Sequence, residues 1–133
     1  MITVILGVLA LFVVQTLLPA TFRYLLAGPG TGARLKIALG SRDVQPPLST
    51  LGARAERALI NLHESLPVFV TIGILLVIQG VNYGLAIQGA WIFLISRILY
   101  LPAYLAGIFG VRSAMWVGSW VGLTMMIIAL MRP

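Results

Sequence analysis

Four apolar runs, each long enough to cross a lipid bilayer, set the limits on what this chain can fold into. They cover about residues 2–26, 58–81, 85–109 and 114–130. A spanning helix needs about 17–25 such residues. Inside hydrocarbon every backbone N–H and C=O must be satisfied, so each run is read as a helix. With their flanks the helices are placed at about 2–26, 53–81, 85–109 and 112–131, with one long connection at about 27–52. The expected fold is therefore all-α: an integral membrane four-helix bundle forming a single domain over residues 1–133. Composition agrees, because only 9% of the residues are charged, against about 25% in an ordinary soluble domain.

The first run resembles a signal peptide in length, but no basic residue precedes its apolar core and no Ala-x-Ala site follows it. It is expected to stay as a membrane helix. Pro19, Pro67 and Pro102 fall inside helical patterns, where neighbouring helices can satisfy the carbonyls that proline frees. Gly28-Pro-Gly-Thr-Gly32 is expected to stop the first helix, and Ser49-Thr50, after Pro46-Pro47, to cap the second. The chain lacks cysteine, which excludes disulfides, a thiolate nucleophile of its own and cysteine metal sites. His63 is the single histidine, so no multi-histidine metal site is expected either.

The net charge of +6 reports topology rather than affinity for nucleic acid. Arg23, Arg34, Lys36, Arg42, Arg54 and Arg57 gather in or beside the long connection. The turn around Asn82-Tyr83-Gly84 carries no charge, whereas the turn before the fourth helix carries Arg112. The positive-inside rule then puts the long connection and the Arg112 turn in the cytoplasm, with both termini outside. Arg132 opposes this assignment and is outnumbered.

One stretch does not suit a purely apolar bundle. Arg54-Ala-Glu-Arg57-Ala-Leu-Ile-Asn61-Leu-His63-Glu64-Ser-Leu-Pro67 places charges at the mouth of the second span. At 100° per residue Arg54, Arg57, Asn61 and Glu64 fall within roughly 80° of one another on a helix. A charge in hydrocarbon costs a few kcal/mol or more, so such a stripe needs a partner or a task. Cationic donors, an amide and an anion on one face suit a small zwitterionic ligand with carboxylates and an amine. They equally suit a polar network between helices that satisfies itself.

The third span carries Arg97-Ile-Leu-Tyr100-Leu-Pro-Ala-Tyr104. Glu64 lies roughly 16 Å from the start of the second helix and Arg97 roughly 18 Å from the end of the third, at 1.5 Å per residue. At a shared depth, the two are expected to pair. Tyr100 and Tyr104 continue the Arg97 stripe at the depths of Asn61 and Arg57, a placement that suits binding as well as packing. His63 is more than 100° off the Arg57–Glu64 face, so it is read as packing.

These residues carry a resemblance. The pattern R-x-x-R-A-x-x-N-x-x-E-x-x-P-x-F from Arg54 to Phe69 resembles the second-helix signature of the MAPEG family, membrane-associated proteins in eicosanoid and glutathione metabolism. Arg97, Tyr100 and Tyr104 are similar to its R-x-x-Y-x-x-x-Y stretch, and Arg112-Ser113 to the start of its fourth helix. Pro46-Pro47-Leu48 is similar to a segment before the second helix in one of its members. Leu-Pro-Ala-Tyr-Leu-Ala-Gly107 is similar to the third helix of bacterial members.

The resemblance implies a homotrimer in a bacterial inner membrane, with glutathione as cosubstrate held between neighbouring subunits near the cytoplasmic face. Position by position, it implies that Arg57, Asn61 and Glu64 hold the tripeptide, Glu64 taking its amino group. Tyr100 and Tyr104 would face them, with Arg97 in the same set and Arg54 at the entrance. Arg112 would lie near the sulfur, with Ser113 beside it; Arg23, Arg34 and Lys36 are candidates for a further contact.

The implied activity is that of a glutathione transferase or peroxidase acting on lipophilic small molecules supplied by membrane lipid. A thiol of pKa about 8.5 is mostly protonated at neutral pH, and the thiolate is the nucleophile. A guanidinium keeps its charge, so it can stabilise that thiolate without itself losing a proton. Two other readings compete: a non-catalytic member of the family that binds lipid or a partner, and a small cation-coupled multidrug transporter. The buried arginine and basic mouth oppose a cation site.

Overall fold

The computed structural model describes residues 1–26, 30–40 and 47–132. All its elements are helical: α1 (Ile2–Ala20), running into a π-helical turn (Thr21–Leu25), α2 (Thr31–Leu39), α3 (Thr50–Ile78), α4 (Gly84–Ala106) and α5 (Phe109–Met131). Four helices are long and apolar enough to cross a membrane: Ile2–Leu25, α3, α4 and α5. The segment read as a plain connection contains α2, which carries Arg34 and Lys36. Gly28, Pro29, Arg42 and Pro46, to which the sequence assigned a helix stop, a topology charge and the approach to a cap, lie outside the described residues.

Local chemistry accounts for where the helices begin and end. Pro19 has no N–H to give and crowds the carbonyl one turn back. The helix widens to π geometry just beyond it, and the Thr21 hydroxyl donates to the Leu17 carbonyl at 2.9 Å. Ser49 caps α3 as expected, its Oγ accepting from the Gly52 N–H at 3.1 Å. Pro67 and Pro102 sit within α3 and α4. At the end of α4, Gly107 takes φ +77°, so that the Ile108 N–H reaches back to the Ala103 carbonyl at 3.0 Å. That left-handed closure satisfies carbonyls at the helix end and strongly favours glycine.

The bundle has two unlike halves. Near the α3–α4 turn, Val4, Val8, Phe69, Leu76, Phe93 and Met126 form a closed apolar core, with the Phe69 and Phe93 rings stacked at 4.4 Å. There α4 and α5 approach through Gly89 and Gly122. A Cβ on either glycine would lie 2.6 Å from the carbonyl oxygen of the other. Large apolar side chains such as Ile2, Leu6, Val13 and Leu17 remain exposed on α1, the arrangement of a surface solvated by lipid. Toward the other end, Asn61, Tyr100, Tyr104 and Arg112 replace the apolar core, and the helices leave a cleft between them.

The close approach of α4 and α5 generates a test. Gly89→Ala or Gly122→Ala must push two backbones apart, and overpacking of this kind costs about 1–3 kcal/mol. Thermal unfolding in mild detergent should show both variants clearly destabilised. Gly110→Ala, whose added methyl meets nothing within 4 Å, should unfold like the parent protein.

Candidate functional site

The cleft has a volume of about 510 Å³ and is lined by Asn61 of α3, Tyr100 and Tyr104 of α4, and Arg112, Ser113, Trp116 and Val117 of α5. Helical spacing explains the grouping. Tyr100 and Tyr104 lie one turn apart, their rings 5.4 Å centre to centre. Ser113 and Trp116, like Ser113 and Val117, are separated by one turn of α5. The Arg112 guanidinium carbon sits 5.0 Å from the centre of the Tyr104 ring and 5.4 Å from that of Phe109. Aromatic faces attract a cation, so Arg112 is held at the cleft without a carboxylate.

Behind the cleft lies Arg97, a charged residue only 1% exposed. Its Nη1 donates to Asn61 Oδ1 at 2.6 Å. Because arginine can only donate, this bond fixes the asparagine with its oxygen inward and its NH₂ free to face elsewhere. The guanidinium carbon lies 5.3 Å from the Phe93 ring centre and 5.7 Å from that of Tyr100. Its Nε and Nη2 have no hydrogen-bond partner.

The expected pairing of Arg97 with Glu64 is not made within the chain. Glu64 is exposed, near enough to act on Arg97 through its charge but not through a hydrogen bond. Residue counting gives depth but not rotation about the helix axis, and it is Asn61 rather than Glu64 that meets Arg97 of α4. Arg57 is exposed on the same flank and, like Glu64, lies outside the cleft lining. Arg54 is placed elsewhere again: its Nη1 donates to the Leu105 carbonyl at 2.7 Å, and it packs against Gly107. It closes the end of α4, which any entrance role would have to share.

Of the residues singled out by the sequence, the cleft brings together Asn61, Tyr100, Tyr104, Arg112 and Ser113. His63 packs its ring against Phe12 at 5.2 Å, away from the cleft. Trp116 and Val117 were missed; their one-turn spacing from Arg112 and Ser113 was the available signal. The Ser113 hydroxyl donates to the Phe109 carbonyl at 3.2 Å, so it must rotate before donating to a ligand. Among the described residues no group of three or more His, Cys, Asp or Glu side chains comes together. A guanidinium, two phenols, an amide and a hydroxyl with no carboxylate among them make a cleft suited to anionic groups.

Comparison with curated proteins found no match, and comparison with solved structures found none. The model of the MAPEG family matches residues 1–132. That match spans all four membrane helices and every residue of the cleft, and the chain belongs to the MAPEG family.

Proposed function

We propose that this protein is a membrane glutathione transferase, with peroxidase activity, acting on lipophilic electrophiles and hydroperoxides from the bilayer. The observation that carries the reading is the cleft itself: Arg112 and Ser113 stand beside Tyr100, Tyr104 and Asn61, with no acidic side chain in the lining. Glutathione is a thiol with two carboxylates and one amine. Arg57, Asn61 and the tyrosines suit its carboxylates and amides, and Glu64 suits its ammonium.

In this reading Arg112 stabilises the thiolate after the thiol proton has passed to water. In a transfer, the sulfur electron pair forms a bond to the electrophilic carbon while the bond to the leaving group breaks and its pair departs with that group. With a hydroperoxide, sulfur attacks the outer oxygen and the O–O bond breaks. The released alkoxide takes a proton to leave as alcohol, and a second glutathione converts the sulfenic acid to disulfide and water. Ser113 gives its hydrogen bond to the sulfur once it turns from Phe109.

The proposed assembly is a homotrimer with the Arg112 end facing the cytoplasm of a bacterial cell. Its support is that Arg57 and Glu64 are exposed on a single chain, within a helix long and apolar enough to span a membrane. Charges there require protein or water around them rather than lipid. A neighbouring subunit supplies that cover and places Arg57 and Glu64 against its own cleft.

Two tests follow from this geometry. Arg112→Leu should abolish turnover while leaving glutathione binding, measured by calorimetry, largely intact. The ultraviolet absorbance of bound thiolate should then titrate at higher pH, toward the ordinary thiol value of about 8.5. An unchanged titration removes Arg112 from the mechanism. A wild-type protein without glutathione binding favours the non-catalytic, lipid- or partner-binding reading.

The second test addresses the Arg97–Asn61 bond. Asn61→Leu leaves a buried guanidinium with one partner fewer, a loss of about 1–3 kcal/mol. Arg97→Leu in the same chain should recover part of it. Additivity within about 0.5 kcal/mol in the double-mutant cycle would mean that the two residues do not depend on each other.

A further inference from the structure

Among the described residues, the buried side-chain nitrogen and oxygen atoms without a hydrogen-bond partner belong to two residues only, Gln15 of α1 and Arg97 of α4. Gln15 lacks a partner at both ends of its amide, and each residue is 1% exposed. The other fully enclosed polar side chains are hydroxyls bonded back to their own helices, Ser65 to the Leu62 carbonyl and Ser119 to that of Trp116. A buried polar group left unpaired is costly, so Gln15 and Arg97 each need a further partner. Neither a neighbouring subunit nor a ligand in the cleft can touch atoms closed off inside a single chain.

The two residues face one interior at one level. Val4, Val8 and Gln15, the buried residues of α1, fall within about 40° of one another on the helix. Ala86, Ala90, Phe93 and Arg97, all buried on α4, fall within about 60°. Val4, Val8, Ala86, Ala90 and Phe93 share one core, so each stripe runs from that core to one of the unpartnered residues. α1 and α3 run in opposite directions, with Ile5 against Gly73 and Phe22 against Gly52. Phe12 meets His63; three residues further along α1 is Gln15, and three residues back along α3 is Ile60, beside Asn61. Gln15 is thereby within about 2 Å of the level of Asn61, the residue that binds Arg97.

We propose that Gln15 and Arg97 hold a buried water molecule between them. Arg97 Nε and Nη2 only donate, whereas the Gln15 amide has an accepting oxygen and a donating NH₂. A water accepts from the guanidinium and gives a hydrogen to Gln15 Oε1, which serves both residues. A halide would serve the donors and leave that oxygen unpaired. A buried water requires room and two to four polar partners. Of Ala58 and Leu62, the buried α3 positions at this level, Ala58 is small and leaves it room. Arg97 in turn orients Asn61, so Gln15 is a positioning residue for the cleft although it does not line it. The water site needs only the fold; its effect on the cleft rests on the proposed glutathione reading.

An experimental structure of the full-length protein that resolves ordered water should show one within hydrogen-bond reach of both the Gln15 amide and the Arg97 guanidinium. A direct bond between the two side chains overturns the proposal. Gln15→Met, close in shape and apolar, should raise the unfolding constant in detergent about tenfold. In an Arg97→Leu background, where no guanidinium shares the water, the same change should alter it less than about twofold. Equal stabilisation by Gln15→Met in both backgrounds means that Gln15 has no partner and overturns the proposal. Gln15→Glu decides the matter where the methionine variant fails to fold. It should be tolerated beside Arg97 and raise the unfolding constant at least about tenfold in Arg97→Leu; equal penalties contradict the shared water. Exchange of chloride for gluconate should change none of these values, and a chloride-dependent stability lost in Gln15→Met assigns the site to an anion instead. Calorimetry should show glutathione bound severalfold more weakly by Gln15→Met, with the bound-thiolate titration unshifted because Arg112 is untouched; unchanged affinity removes Gln15 from the positioning of Asn61. A wild type that binds no glutathione removes only this last effect, and the unfolding cycle still decides the water.

Discussion

Everything at the polar end of the bundle depends on how a guanidinium is kept inside a membrane-spanning helix. Arg97 is enclosed, and of its nitrogens only Nη1 is hydrogen-bonded, to Asn61. Two aromatic rings stand within 6 Å of it, those of Phe93 and Tyr100. The bond ties α3 to α4 at a depth where apolar packing gives way to the cleft. It also turns the Asn61 amide so that its donors are free. A residue beyond the cleft lining thereby sets the orientation of one that lines it.

The division of the molecule follows from this. At one end small residues and stacked phenylalanines bring α4 and α5 close together and fix their relation. At the other, Arg54, Arg97 and Arg112 are held by aromatic faces and carbonyl oxygens rather than by acids. Arg112 rests on Tyr104 and Phe109, and Arg54 on the end of α4. In the proposed mechanism that choice matters, since a carboxylate beside Arg112 would oppose the thiolate it is meant to stabilise.

Much of this was legible in the sequence, and what was not has identifiable causes. The four spans follow from hydropathy, and the Ser49 cap follows from side-chain chemistry. Asn61, Tyr100, Tyr104, Arg112 and Ser113 were selected together and share one cleft. The partner of Arg97 was misread because counting residues gives depth but not azimuth, and Asn61 and Glu64 are on different edges of one stripe. Trp116 and Val117 escaped because α5 is apolar on most faces, so only their one-turn spacing from Arg112 and Ser113 marks the side that meets the cleft. Gly30 and Gly40 flank α2 and Gly32 lies in its first turn, which gives the segment the look of a loop, although Ala33 to Leu39 is an unbroken run of residues that helices tolerate.

The central claim is that neither the cleft nor the exposed Arg57–Glu64 flank is complete in one subunit. Mixed oligomers test it most directly. Arg57→Leu and Arg112→Leu chains, each inactive alone and carrying different affinity tags, are co-expressed and purified through both tags. If each site takes its flank from one subunit and its cleft from the next, every mixed trimer contains one site with both parts intact. The account predicts that the mixed oligomer regains turnover, and bound-thiolate absorbance at neutral pH, at a fraction of the wild-type level. Complete inactivity of mixed oligomers, or recovery of the same protein as a stable monomer, would contradict it.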